Sequence, residues 1–147
     1  MRNLFLSLLC FVLGSSFTTH WEADFDKALQ AAKVSHKCIL LNFSGSDWCG
    51  PCIKLHKQYF DSDAFTKFAA DKLIMVNADF PRQKKNQLSR PLQEQNDRLA
   101  EQYNRKGSFP ETVLLSPEGR ILKEWDGFPK MSLDDFIGDI QSAITAQ

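Results

Sequence analysis

Cys38-Ile39-Leu40-Leu41-Asn42-Phe43-Ser44-Gly45-Ser46-Asp47-Trp48-Cys49-Gly50-Pro51-Cys52 is the stretch whose reading decides the fold. Its first six residues form a nearly continuous apolar run of strand length, the pattern of a strand covered on both faces. Ser44-Gly45-Ser46-Asp47 is a turn cluster. Pro51 suits the first turn of a helix, where no intrahelical partner awaits its missing N–H. The stretch therefore reads as buried strand, turn and helix start, with two cysteines at the junction.

Working outward, Trp21, Phe25, Ala28, Leu29 and Ala32 recur at three and four and predict one amphipathic helix over 21–33. Residues 52–59 and 64–70 read as helical, interrupted around Asp61-Ser62-Asp63. Residues 73–78 repeat the buried-strand pattern. A strand, a helix and a second buried strand imply a right-handed crossover in a parallel sheet. The cysteine pair then lies at a strand's carboxyl end, where open α/β sheets place their ligands.

Residues 80–91 carry Arg82, Lys84, Lys85 and Arg90 and read as a surface loop before a helix over 92–104. The loop is either simply solvated or a basic rim that selects acidic partner segments. Residues 112–116 and 120–125 predict a hairpin around Pro117-Glu118-Gly119, with Pro at the second turn position and Gly at the fourth. Ser132, with Asp135 three residues on, marks a cap for a closing helix that carries Leu133, Phe136, Ile137, Ile140 and Ile144. The expected class is α/β: a central mixed sheet, parallel strands plus a C-terminal antiparallel hairpin, flanked by helices.

The 147 residues, 43% of them hydrophobic and 12 of them Phe, suffice for one domain with a core of its own. Lys plus Arg and Asp plus Glu cancel at 18 each, so no overall field draws the chain to nucleic acid or an anionic membrane surface. Met1-Arg2-Asn3, the apolar run 4–13 and Gly14-Ser15-Ser16 read as a leader. The expected division is a signal peptide over 1–19 and a folded domain over 20–147, exported to the periplasm. The apolar run is far short of the roughly 20 residues that span a bilayer. An uncleaved segment that anchors the chain is the alternative. Bulky Leu9 and the apolar residues beyond Cys10 argue against lipidation there. Export makes Cys38, Cys49 and Cys52 redox-relevant, and one disulfide with one thiol is the simplest account of three.

Disulfide exchange needs a thiolate attacker, a second thiol close enough to resolve the mixed disulfide, and a site a protein disulfide can reach. Cys49, at the first turn, meets unpaired backbone N–H groups and the helix dipole, which favour a thiolate. It is the expected nucleophile. Cys52, one turn further in, is the expected resolving thiol. Pro51, after Gly50, stiffens the link between the sulfurs, and Trp48 supplies an apolar shield and a flat contact surface.

The segment Trp48-Cys49-Gly50-Pro51-Cys52, the apolar strand before it, Phe109-Pro110 about sixty residues later and Gly127 after the hairpin together resemble the thioredoxin family from Trp21 to the C-terminus. The resemblance implies a thioredoxin fold and a thiol-disulfide oxidoreductase whose only redox group is its own disulfide, with no cofactor and no metal. It also implies a cis bond before Pro110 and makes Phe109 and Pro110 substrate contacts. Partners would be protein thiols and disulfides and a membrane or exported electron donor or acceptor, the protein itself being a monomer. Gly-Pro between the cysteines resembles the reducing members, with oxidases and isomerases as the alternative.

Three departures are visible. Asn42 stands where thioredoxins commonly carry a buried Asp; an amide cannot take a proton near neutral pH, which leaves water or Asp47 as acceptor. The turn 44–47 is about one residue longer, and 80–91 looks like an insertion, features that resemble secreted bacterial thioredoxin-like proteins. Glu111 stands where the family often has Thr.

Rival readings are weaker. Cys49, Cys52 and His56 lack the fourth ligand of a structural zinc site, and His56 reads as a surface or packing residue. Ile53 after Cys52 excludes the haem-attachment pattern. Cys38 reads as apolar core filler, with a regulatory thiol as its alternative. Trp21, Trp125 and Phe128 are assigned no function. A docking scaffold with a permanently closed disulfide is the non-catalytic alternative.

Overall fold

The computed structural model describes residues 20–146. The expected leader, 1–19, and Gln147 lie outside the described residues. Strands β1 (Trp21–Glu22), β2 (Cys38–Ser44), β3 (Leu73–Asp79), β4 (Glu111–Leu115) and β5 (Ile121–Asp126) form one sheet in the order β1-β3-β2-β4-β5. β1, β3 and β2 run parallel, while β4 pairs antiparallel with both β2 and β5. This is the expected mixed sheet.

β2 lies at the centre and is buried at every position. Its side chains alternate between two layers, as a pleated strand requires. Cys38 and Leu40 enter one core with Leu55, Tyr59, Phe60, Phe65, Phe136 and Ile140; Ile39, Leu41 and Phe43 enter the other with Ala28, Ala32, Leu99 and Tyr103. The first layer is roofed by α2 (Gly50–Leu55), α3 (Asp63–Lys72) and α5 (Leu133–Thr145), the second by α1 (Phe25–Ser35) and α4 (Arg90–Tyr103).

The helix predicted over 21–33 begins later. Asp24 accepts a hydrogen bond from Lys27 N–H and caps α1, whereas Trp21 and Glu22 pair with Met75 and Val76 as an edge strand. Trp21 packs on Phe60 in the first layer, while Ala28 and Ala32 face the second, so they never belonged to one helical face. The periodicity was coincidental. α2 continues through a wider turn, His56–Phe60, closed by Asp61 N–H donating to His56 C=O. Ser62 then caps α3 at the expected interruption. α4 starts at Arg90, two residues before the predicted 92, because Pro91 fits a first helical turn.

The hairpin turns as expected: Gly119 N–H donates to Ser116 C=O at 2.9 Å, and Gly119 has φ 84°, a left-handed conformation suited to glycine. Ser132 Oγ accepts from Asp135 N–H and caps α5. Trp125 is buried against Phe136, and Phe128 packs on Tyr59, so both serve the core.

Phe136 is fully buried and meets the rings of Tyr59, Phe60, Phe65 and Trp125. Phe136→Ala is expected to cost about 3–5 kcal/mol in denaturant unfolding. The same titration contradicts this packing account if the loss is under about 1 kcal/mol.

Candidate active site

The site begins where β2 ends. Gly45 C=O accepts from the N–H groups of Trp48 and Cys49, at 3.2 and 2.9 Å, which folds residues 45–49 into a tight turn. A side chain at Gly45 would collide with the Trp48 ring, 2.3 Å from the position of a Cβ, so the glycine lets the indole lie against the backbone. Cys49 is the N-cap of α2: its φ and ψ are extended and its Sγ accepts from Cys52 N–H at 3.2 Å. It therefore sits just before the first turn, not within it.

Cys49 and Cys52 form a disulfide with Cα atoms 5.2 Å apart. Cys49 keeps 4% of its surface and Cys52 none. Of the two, only Cys49 therefore keeps any surface for an incoming group to approach. Cys38 lies outside the disulfide, buried in β2.

Beside the disulfide, Trp48 Nε1 donates to Phe80 C=O at 2.7 Å. The rings of Trp48 and Phe109 meet edge to face at 5.4 Å, and Phe80 meets Phe109 likewise. The Phe109–Pro110 peptide bond is cis. Trp48, Phe80, Pro81, Arg82 and Phe109 line an open groove of about 460 Å³.

The basic loop is exposed along 82–87, as a solvated connection would be, and is also tied to the turn before the cysteines. The Asp47 carboxylate accepts from Arg82 N–H, Gln83 N–H and Asn86 Nδ2, each at 2.9 Å. The Arg82 guanidinium then lies 3.7 Å over the Trp48 ring, a cation–π contact. The Arg82 N–H above all, then Asn86 and Gln83, hold the Asp47 carboxyl below its usual range. A carboxylate so stabilised is a poor acceptor for a thiol proton, so Asp47 is the anchor of the loop. Sequence gave no sign of this, because the contacts span about 35 residues.

Asn42 is fully buried in β2, and its amide meets His56, Asn77 and Thr112. His56 is half-buried, its ring packed on Trp21 and Phe60, as a packing residue would be. Among the described residues, no three His, Cys, Asp or Glu side chains gather as a metal ion would need.

Glu111, directly after Pro110, is 4% exposed, and its Oε2 has no hydrogen-bond partner among the described residues. Burial, with the nearby Asp126 and Glu124 charges, pushes its carboxyl up to about 7.

A thioredoxin fold with a cysteine pair capping the helix after its central strand defines a thiol-disulfide oxidoreductase, the pair itself being the redox-active group. The chain belongs to the thioredoxin-like family, whose model matches residues 20–117. It is 38% identical over 124 residues to disulfide bond reductase DsbH of Chlamydia pneumoniae, covering 84% of this chain and 72% of that one. Thioredoxin-related protein DsbJ of the same organism is 32% identical over 100 residues, 68% of this chain but only 28% of that one. Among solved structures, a DsbH oxidoreductase aligns with a TM-score of 0.79 at 35% identity, covering 88% of this chain and 87% of that one. A thioredoxin from Thermus thermophilus shares the fold, with a TM-score of 0.63 at 12% identity over 85% of this chain and 87% of that one.

The raised carboxyl of Glu111 makes stability depend on pH. Between about 4.5 and 7 the folded state holds a proton that the unfolded state has released, so stability falls as pH rises through that window. Glu111→Gln is expected to match the wild type below pH ~4.5 and to exceed it above pH ~7, by on the order of 3 kcal/mol at most. Denaturant titrations at the two extremes check this, and equal stability at high pH contradicts it.

Proposed function

We propose that the protein is an exported reductase that, in its dithiol form, reduces disulfides of protein substrates outside the cytoplasm. The observation that carries the reading is the pair itself: Cys49, which keeps 4% of its surface, joined through Gly50-Pro51 to fully buried Cys52. Its likeness to a protein named a disulfide bond reductase supports the reducing direction. The leader-like residues 1–19 support export, with residues 20–147 as the mature domain. No helix among the described residues is long and apolar enough to cross a membrane.

In this reading Cys49 attacks and Cys52 resolves. Trp48, held by Phe80 C=O and Arg82, offers the substrate a flat apolar contact, and the cis Phe109-Pro110 segment offers it backbone. Asp47 holds the rim in place, while Gly50 and Pro51 keep the link between the sulfurs short and stiff. Partners are protein disulfides and an exported or membrane-bound electron donor, and the protein works as a monomer.

Cys49→Ser is expected to abolish turnover of a protein disulfide, whereas Cys52→Ser accumulates a mixed disulfide through Cys49. Equilibration in glutathione and dithiothreitol buffers gives the direction. A potential near about −270 mV, the value of thioredoxin, is expected of a reductase. One nearer about −120 to −180 mV reassigns the protein as an oxidase or isomerase.

A further inference from the structure

A polar row crosses the sheet beneath α2. Asn77 on β3, Asn42 on β2 and Thr112 on β4 stand at one level, because Asn42 is in register with both neighbours. Asn42 Nδ2 donates to Asn77 Oδ1 at 3.0 Å and lies 3.3 Å from His56 Nε2, while its Oδ1 accepts from Thr112 Oγ1 at 3.2 Å. With Asn42 Nδ2 as the donor in this arrangement, a neutral His56 accepts at Nε2.

The row has a second arrangement. If both amides turn over and the Thr112 hydroxyl accepts instead of donating, Asn42 Oδ1 receives both Asn77 Nδ2 and a protonated His56 Nε2. His56 can therefore gain a proton with its Nε2 still hydrogen-bonded to Asn42, the Thr112 hydroxyl hydrogen and one Asn42 amide hydrogen giving up the acceptors they had.

His56 follows Cys52 by one helical turn and its N–H donates to Cys52 C=O. Side chains four apart on a helix have Cβ atoms about 5–6 Å apart, so Cys52 and His56 share one face of α2. The rings of Trp21 and Phe60 pack on the imidazole at 4.9 and 5.2 Å. Elsewhere the ring meets an open groove of about 410 Å³, lined also by Ser44, Ser46, Lys57, Asp61 and Asn77. Burial lowers the His56 pKa, opposed by the Asp61 charge, the Asn77 side chain and the Asp79 charge. Lys57 is the cation in the groove, and Glu22, beside Trp21 on β1, is engaged by the N–H groups of Ala23 and Asp24.

We propose that His56 carries the proton of the resolving step: it takes the Cys52 thiol proton through a bridging water and releases it to solvent along the groove. This is the task that Asn42 cannot perform. In the mixed disulfide, Cys49 Sγ is bonded to a substrate sulfur. Cys52 gives its proton to His56, and its thiolate attacks Cys49 Sγ. The Cys49–Cys52 bond forms and the Cys49–substrate bond breaks. The substrate sulfur leaves as a thiolate and takes a proton from water. The dithiol has lost two electrons and the substrate disulfide has gained them.

The proposal rests on Cys49 as attacker and Cys52 as resolver, and one stopped-flow experiment separates the two. Reduced protein mixed with dithiobis(nitrobenzoate) releases one coloured thiolate when Cys49 attacks and a second when Cys52 resolves. Cys52→Ser should show the first phase alone, and two phases in that variant would overturn the assignment of the resolver. His56→Gln keeps an acceptor for Asn42 but does not titrate. It is expected to leave the first phase unchanged, to slow the second by about tenfold or more near neutral pH, and to flatten that phase's pH profile between about 5 and 8. A second phase with the wild-type rate and pH profile overturns the proposal. In the wild type, NMR titration of the His56 ring is expected to give different pKa values in the dithiol and disulfide forms. Identical values would also overturn it.

Discussion

The first turn of α2 leaves backbone N–H groups without helical partners, and Cys49 stands at the cap where they converge, its sulfur accepting from Cys52 N–H. That placement depends on everything around it. The fully buried β2 delivers the chain to its carboxyl end at the centre of the sheet, Gly45 allows the turn to close against Trp48, and Pro51 starts the helix without losing a hydrogen bond. A thiolate at this cap is stabilised by partial positive charge that the fold cannot remove. In the proposed mechanism the thiolate character of Cys49 follows from this backbone geometry.

Two polar constructions flank the cap. On one side Asp47 ties the basic loop to the turn and holds Arg82 over Trp48, so the rim beside the disulfide is preorganised. On the other, the row of Asn77, Asn42 and Thr112 carries buried polarity under α2 with its hydrogen bonds satisfied. Replacing a buried carboxylate by Asn42 removes a charge that would be costly to desolvate. It also removes a base, which gives His56 its significance.

The fold was legible because its signals are local. The unbroken apolar run 38–43, the turn at Ser116 to Gly119 and the cap at Ser132 each declare themselves within a few residues. Trp21 misled because three- and four-residue spacing does not say which layer a side chain enters, and the edge strand shares the spacing by accident. The cysteine pair was equally legible from its spacing and its place after a strand. His56, Asn77 and Arg82 were not, since each acquires its partner through strand register or a loop fold that brings distant residues together. Glu111 showed as a residue standing where the family often has Thr, but its burial emerges only once β4 is seated beside β2.

The central claim is that the backbone of α2 makes Cys49 a thiolate while Cys52 stays a buried thiol. The direct measurement is the pH dependence of alkylation of the fully reduced protein, with the modified residue located by mass spectrometry. The account predicts modification at Cys49 first, with an apparent pKa at least about one unit below the ordinary thiol value of about 8.5. A Cys49 that titrates at or above that value, or a Cys52 that is alkylated first, would contradict it.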